Sequence, residues 1–338
     1  MTARCPRRAP AIVACLLAAC AATAPAAAQS FWLTPSPGSL DYLELASREW
    51  LVRLTDDVTV IQFYMQNLMS RRLDIVGPNT VQAFAARGTF HHLRRLGFRV
   101  AMEAGVVKPY WCDDLNARGA IDASADAIRN VHQAQGRVDY VSMDEPFING
   151  IDRCTMLAAQ IADRTASYMK ALRQRFPGLE IGLTEAYPRF DAERLATFEA
   201  LLRHRGAPLD FYHLDLHLSE ALRTKSMADV EQDVRVLCDH LQARGIAFGL
   251  IIWGEDGRSD FLYAEEAMKL VRLTRTLFQT ARRPPAHIPL QSWTATPEGL
   301  VIVPRNLTPD DEATHLNLVR RTRGCVMNGI GCGYQPSR

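Results

Sequence analysis

From residue 57 onward the chain alternates short runs of β-branched and aromatic residues with longer segments of helical period, the signature of repeated βα units around a parallel sheet. Strands are predicted at 58–64, 98–102, 138–143, 179–184, 210–216, 246–252 and 288–293. Phe31-Trp32-Leu33, followed by a helix over 40–54, supplies an eighth. The clearest helices, 123–135, 156–176, 191–204, 227–244 and 261–281, each end near a Gly or Pro before the next strand. Eight such units predict an α/β fold, a (β/α)8 TIM-like barrel of about 250 residues, here 29–293. An open doubly wound sheet is the rival, but no Gly-rich nucleotide fingerprint follows any strand. Residues 294–338, with Leu300-Val-Ile-Val303 and an amphipathic segment at 312–321, read as a short C-terminal extension packed on the barrel.

The N-terminus is of another kind. Arg4, Arg7 and Arg8 precede an apolar run at 11–22, and Ala26-Ala27-Ala28 places small residues before Gln29. That order is a secretory signal, so 1–28 is expected to be removed and the mature protein to be secreted or periplasmic. Leu17-Ala18-Ala19-Cys20 also resembles the lipobox of bacterial lipoproteins. On that alternative Cys20 carries a lipid, and the protein is anchored to the outer membrane without spanning it. No later stretch approaches the ~20 apolar residues of a membrane span.

Composition narrows the partners. Hydrophobic residues at 48% against 22% charged exclude disorder, collagen and coiled coil. Lys+Arg number 39 and Asp+Glu 37; without the three leader arginines the body is near neutral, which argues against a nucleic-acid groove built on bulk charge. Export puts the remaining cysteines in an oxidising space. Cys325 and Cys332 bracket a Gly-rich loop and are expected to close it. Cys112 and Cys154, both in loops after strands, are expected to staple neighbouring loops, which leaves Cys238 as a buried thiol. No C-x-x-C pair points to a metal.

In a parallel barrel the C-terminal strand ends share one face, so polar residues just past strands are site candidates. They are Gln66 and Asn67; Glu103; Asp144 and Glu145; Glu185 and Tyr187; His213, Asp215 and His217; Trp253, Glu255 and Asp256; and Trp293. Carboxylates and aromatics dominate. The mixture suits carbohydrate chemistry, in which one carboxylic acid protonates the leaving oxygen, a second carboxylate attacks or activates water, and aromatic faces stack on sugar rings. The mature chain has no G-x-S-x-G elbow.

The most specific fragment is Tyr140-Val-Ser-Met-Asp-Glu-Pro146. It resembles the strand-end Asn-Glu-Pro motif of the large clan of retaining (β/α)8-barrel glycosidases, whose acid/base glutamate ends strand four. Counting from 31–33, the run 138–143 is strand four, and the resemblance implies Glu145 as acid/base. Asp144 stands where the clan has Asn, a departure at the usual contact to a sugar 2-hydroxyl. The plainer reading is that the Asp-Glu pair caps the next helix or binds a loop arginine. For the second carboxylate two candidates stay open. Glu185 leaves strand five directly and is slightly favoured. Glu255, in the Gly-rich turn Trp253-Gly254-Glu255-Asp256-Gly257, ends strand seven, where the clan keeps its nucleophile. Two clustered carboxylates push one pKa upward and so supply a protonated acid.

His213-Leu-Asp215-Leu-His217 has period two, which points all three polar side chains to one side. They are read as substrate hydrogen-bonding groups, with a structural polar network and a metal site as alternatives. An early H-x-H partner for a metal is missing, and His91-His92 lies on a helix. Glu103 either binds substrate or pairs with a barrel arginine. Trp253 and Trp293 form a sugar platform that Tyr64, Tyr110, Trp111 and Tyr187 extend. Asn306-Leu-Thr308 fits the N-glycosylation pattern, but a leader with a lipobox points to a bacterium, where that pattern usually means nothing. The expectation is an exported glycosidase acting on an oligo- or polysaccharide without metal or cofactor. Its rivals are a non-catalytic carbohydrate-binding barrel and a metal-dependent hydrolase using His213, Asp215 and His217.

Overall fold

The β-branched runs are strands: β1 (Ser30–Thr34), β2 (Val60–Tyr64), β3 (Arg99–Gly105), β4 (Tyr140–Asp144), β5 (Glu180–Tyr187), β6 (Phe211–Leu216), β7 (Ala247–Leu250) and β8 (His287–Gln291). In the computed structural model, which describes residues 29–39, 41–44, 58–70, 74–256, 258–292 and 315–332, they close into one parallel barrel in sequence order. β8 pairs back onto β1 over Ser30 to Thr34, so no open sheet edge remains. The doubly wound alternative is thereby excluded. The leader with Cys20, most of the helix expected at 40–54, Trp293, the 300–303 run and Asn306 lie outside the described residues.

Helices Arg118–Gln133, Ala158–Arg175, Ala192–His204, Met227–Gln242 and Asp260–Thr280 sit where helical period predicts them. Their starts are set by capping chemistry. Asp191 accepts from the Arg194 N–H, Ser226 and Asp229 form a reciprocal capping box, and Ser259 accepts from the Leu262 N–H. Between β2 and β3 the described residues instead include the short α-helices Met65–Leu68, Val81–Ala86 and Thr89–Arg95 and a 3-10 turn at Asp74–Val76. Segments of four to seven residues are too brief to show a full helical period in sequence.

Strand parity divides the apolar residues between two cores. One lies between strands and helices. The other fills the barrel, where Trp32 is fully buried with its ring 4.7 Å from Tyr140 and 5.3 Å from Phe211. Bulky rings need small neighbours: a Cβ on Gly182 would lie 2.2 Å from the Phe211 ring. The barrel interior is thus plugged by side chains beneath its C-terminal mouth.

Two disulfides join the cysteines expected to pair, Cys112–Cys154 and Cys325–Cys332, and Cys238 is a buried thiol. The second closes a turn after helix His315–Arg323. Leu318, Val319, Cys325 and Val326 of this region are buried, and Arg275 of helix Asp260–Thr280 donates to the Cys325 carbonyl at 2.6 Å.

Candidate active site

β4 delivers Asp144 as its last residue and Glu145 directly after it. Asp144 shares the inward parity of Tyr140 and Ser142, and its carboxylate is paired with the Lys108 ammonium from the loop after β3. Lys108 reaches it by folding over Gly105, where a Cβ would lie 2.7 Å from the lysine stem. Glu145 adopts the left-handed region, φ +47 and ψ +47, which L-residues other than Asn and Asp seldom enter. The turn is held from both sides. The Glu145 N–H donates to the Thr184 carbonyl at 2.9 Å, and the Asn149 side-chain amide donates to the Glu145 carbonyl at 2.9 Å. Burial, then the charges of Asp144 and Asp215, push the Glu145 carboxyl up to about 7, while Lys108 and His217 pull it back.

Glu185 occupies a different place from the one its sequence position suggests. β5 does not stop at Thr184 but runs on to Tyr187, and inward Thr184, bonded to Ser142 across the barrel wall at 2.7 Å, leaves Glu185 on the helix-facing side. There it is fully buried beneath helix Pro146–Asp152, and its two oxygens accept from the Phe147 N–H at 2.6 Å and the Ile148 N–H at 3.2 Å. Pro146 has no N–H, so these are the first two donors of that helix. Tyr187 likewise faces outward, with its hydroxyl donating to Asp233 at 2.6 Å and accepting from Lys225 at 2.9 Å. Neither residue faces the mouth.

The β6 triplet is also divided. His213 lies deep in the barrel, edge-on to Trp32, with Nε2 3.0 Å from Nδ1 of His287. Burial drives both imidazoles down, His287 to about 3, so both are neutral. Of the readings open for His213, a structural polar network fits this placement. Asp215, one inward position higher, is 6% exposed and pairs through Oδ2 with His217 Nε2 at 3.4 Å. Its Oδ1 has no hydrogen-bond partner among the described residues. Desolvation raises the Asp215 carboxyl, and the His217 imidazolium opposes that rise. In return Asp215 holds His217 protonated up to about 9. Among the described residues no three His, Cys, Asp or Glu side chains are placed to hold a metal ion.

Glu103 faces inward one level below the rim. Its partners are the amides of Gln62, at 3.3 Å, and Gln291, and among the described residues no arginine is paired with it. Burial, with the Asp144 charge next, raises its carboxyl well above the ordinary range. Glu255 follows β7 but turns toward helix Leu218–Ala221, where one oxygen accepts from the Ser219 N–H at 3.0 Å and the other from the Ser219 hydroxyl. Trp253 is 7% exposed and meets the His217 ring at 5.1 Å in a T-shaped contact, so it backs the imidazolium and offers little free face.

Residues that sequence reasoning passed over complete the mouth. Lys108 lies three residues beyond β3 and left no signal except a lone cation in an apolar run. Gln62 and Gln291 share the inward parity of their strands, which alternation along β2 and β8 could have revealed. The Cys112–Cys154 disulfide ties the segment just beyond Lys108 to the turn after helix Pro146–Asp152, the helix that Glu145 precedes. Buried Arg164 adds to this clamp, donating to the carbonyls of Trp111 and Cys112.

No family model matches the chain, and no curated protein matches it. Solved structures do. A GH5_18 protein from Streptomyces cattleya, in complex with GlcNAc, aligns with a TM-score of 0.56 at 14% identity over 88% of this chain and 81% of its own. An intracellular xylanase from Thermoanaerobacterium saccharolyticum aligns at 0.53 and 8% identity, over 80% and 89%. A glucosidase from Croceicoccus marinus aligns at 0.46 and 15% identity over 80% of this chain, which spans 60% of that protein's length. The first two share with this chain the eight-stranded parallel barrel, as distant structural relatives among the glycoside hydrolases.

Proposed function

We propose that the chain is an exported glycoside hydrolase that cleaves an oligo- or polysaccharide with two carboxyl groups, Glu145 as proton donor and Asp215 as the opposing carboxylate. The observation that carries this reading is the environment of Glu145: a carboxyl raised to about 7 at the end of β4, beside Asp144 and Asp215. A group poised near neutral pH can hold a proton and release it to a departing glycosidic oxygen. As the C–O bond breaks, that proton passes to the leaving oxygen. Asp215, whose carboxyl the His217 imidazolium pulls back against the rise that burial imposes, attacks the anomeric carbon or takes a proton from the incoming water. Its Oδ1, buried and without a hydrogen-bond partner among the described residues, is an acceptor left for a ligand and supports this role.

The second carboxylate is therefore reassigned. Glu185 is sealed beneath a helix and Glu255 is engaged by Ser219, so neither is offered to a sugar. Asp144, held by Lys108, and Glu103 remain as hydrogen-bonding groups for substrate hydroxyls. Two disulfides in the body of the chain accord with export through the leader, and Cys20 lipidation remains the anchored variant of the same proposal.

Purified protein is expected to turn over at least one member of a panel of neutral oligo- and polysaccharides. Asp215→Asn should lower kcat by roughly 1,000-fold and Glu255→Gln by less than tenfold. Glycan binding without turnover would favour the non-catalytic barrel. An inactive Glu255→Gln with an active Asp215→Asn would return the role to strand seven.

A further inference from the structure

The near-neutral charge of the body conceals a division along the chain. Residues 29–266, which carry Glu145 and Asp215, hold 26 Lys and Arg against 33 Asp and Glu, whereas residues 267–338 hold ten against four. Charge segregated in this way points to an anionic partner for the basic part. The fold gathers that excess on one flank. No carboxylate occurs between Glu266 and Glu298, while Arg272, Arg275, Arg282 and Arg283 follow one another through helix Asp260–Thr280 and the turn after it. Arg272 and Arg275 donate to the carbonyls of Cys332 at 3.3 Å and Cys325 at 2.6 Å, partners without a formal charge to cancel theirs. These bonds bring the turn closed by Cys325–Cys332 onto the helix. Arg282 and Arg283 are exposed, and among the described residues no carboxylate is ion-paired with either.

The C-terminal segment adds apolar groups to this charge. Leu318, Val319, Thr322, Cys325 and Val326 are buried on one side of helix His315–Arg323 and the turn Gly324–Asn328. Arg320, Arg323 and Met327, spaced by three and four, are exposed on the other side, and Ile330, just past Gly329, is 70% exposed. A surface that sets long apolar side chains among arginines suits a membrane interface, where the alkyl groups enter the acyl boundary and the guanidiniums stay at the headgroup phosphates. A soluble polyanion would use the charge alone and give Met327 and Ile330 no role. The place of the flank points the same way. Arg283 lies three residues before Ala286, whose carbonyl accepts from the Ser30 N–H at 2.9 Å where the chain enters β1. The flank therefore reaches the N-terminal end of the barrel, opposite the mouth. We propose that it binds the headgroup face of an anionic phospholipid membrane without help from a lipid on Cys20, which leaves the mouth turned away from the bilayer. This docking is independent of the roles given to Glu145 and Asp215.

The test uses the exported chain carrying Cys20→Ser, which removes any lipid, and its co-sedimentation with vesicles of phosphatidylcholine alone or with about a third phosphatidylglycerol. Binding is expected to the anionic vesicles only, and it should weaken as salt is raised. Arg282→Gln combined with Arg283→Gln should reduce it roughly 25-fold, about fivefold for each charge near the surface. Ile330→Ser should reduce it roughly fivefold. Both variants should melt with the parent, since the replaced side chains are exposed. Equal binding of the parent and both variants to anionic vesicles would overturn the assignment of the flank. Equal affinity for the two kinds of vesicle, or none for either, would overturn the anionic membrane as partner. Saturable binding to a soluble polyanion such as polygalacturonate, with none to vesicles, would put an acidic glycan in its place and overturn the proposal as well.

Discussion

Glu145→Gln is expected to lower kcat/KM on natural glycans by roughly 1,000-fold, in the middle of the range for removal of a general acid. Substrate binding should survive, because glutamine is neutral and has the shape of the protonated acid it replaces. The loss should shrink on nitrophenyl glycosides, whose leaving oxygen needs less help from a proton. On the proposed role the active form of Glu145 is protonated, so activity in the parent should fall as pH rises through about 7. Lys108 holds that limit down by its positive charge, so Lys108→Met should move the alkaline limb upward. Profiles of kcat/KM against pH for the three proteins check both statements. A fully active Glu145→Gln, or an alkaline limb that Lys108→Met leaves in place or moves downward, would remove Glu145 from the role.

Much of the barrel is legible from composition runs alone, because alternation between strands and helices is a local property. The Phe31-Trp32-Leu33 run becomes β1, and the 138–143 run becomes β4 as counted. Glu145 is legible for the same reason: a polar residue directly past a strand end must sit at the shared face. What sequence conceals is where a strand stops. The run 179–184 ends at a threonine in the hydropathy pattern, but ladder bonds to β6 carry β5 three residues further, to Tyr187 opposite Leu216. That extension inverts the meaning of Glu185, since successive side chains face opposite sides and an odd position beyond inward Thr184 points to the helices. Glu255 is a separate case. Its strand ends early, at Leu250, and the chain beyond it leans on Ser219 from a different βα unit, a long-range contact that no local pattern encodes.

Glu185 can be tested against both of its readings. Glu185→Leu fills a similar volume but leaves the Phe147 and Ile148 N–H groups without acceptors in a buried position, a cost of about 4 kcal/mol at roughly 1–3 kcal/mol for each orphaned donor. Glu185→Gln keeps one accepting oxygen and turns an amide NH2 toward the other donor, so about half that loss is expected. Urea denaturation measures both. Activity should fall with them, because the helix that begins at Pro146 fixes the left-handed turn at Glu145, and a displacement of about 1 Å at a reacting group costs on the order of 100-fold in rate. The fall should appear in kcat, with KM for oligosaccharides little changed, as befits a residue that positions the acid without touching sugar. If Glu185 were itself the attacking carboxylate, the pattern would differ in kind. Glu185→Ala would then be as stable as the parent, inactive, and restored by azide or formate entering the vacated space. The hydrogen bonds from Phe147 and Ile148 point to the first pattern, since an oxygen that holds a helix start cannot leave it to attack an anomeric carbon without unmaking the turn that carries the acid.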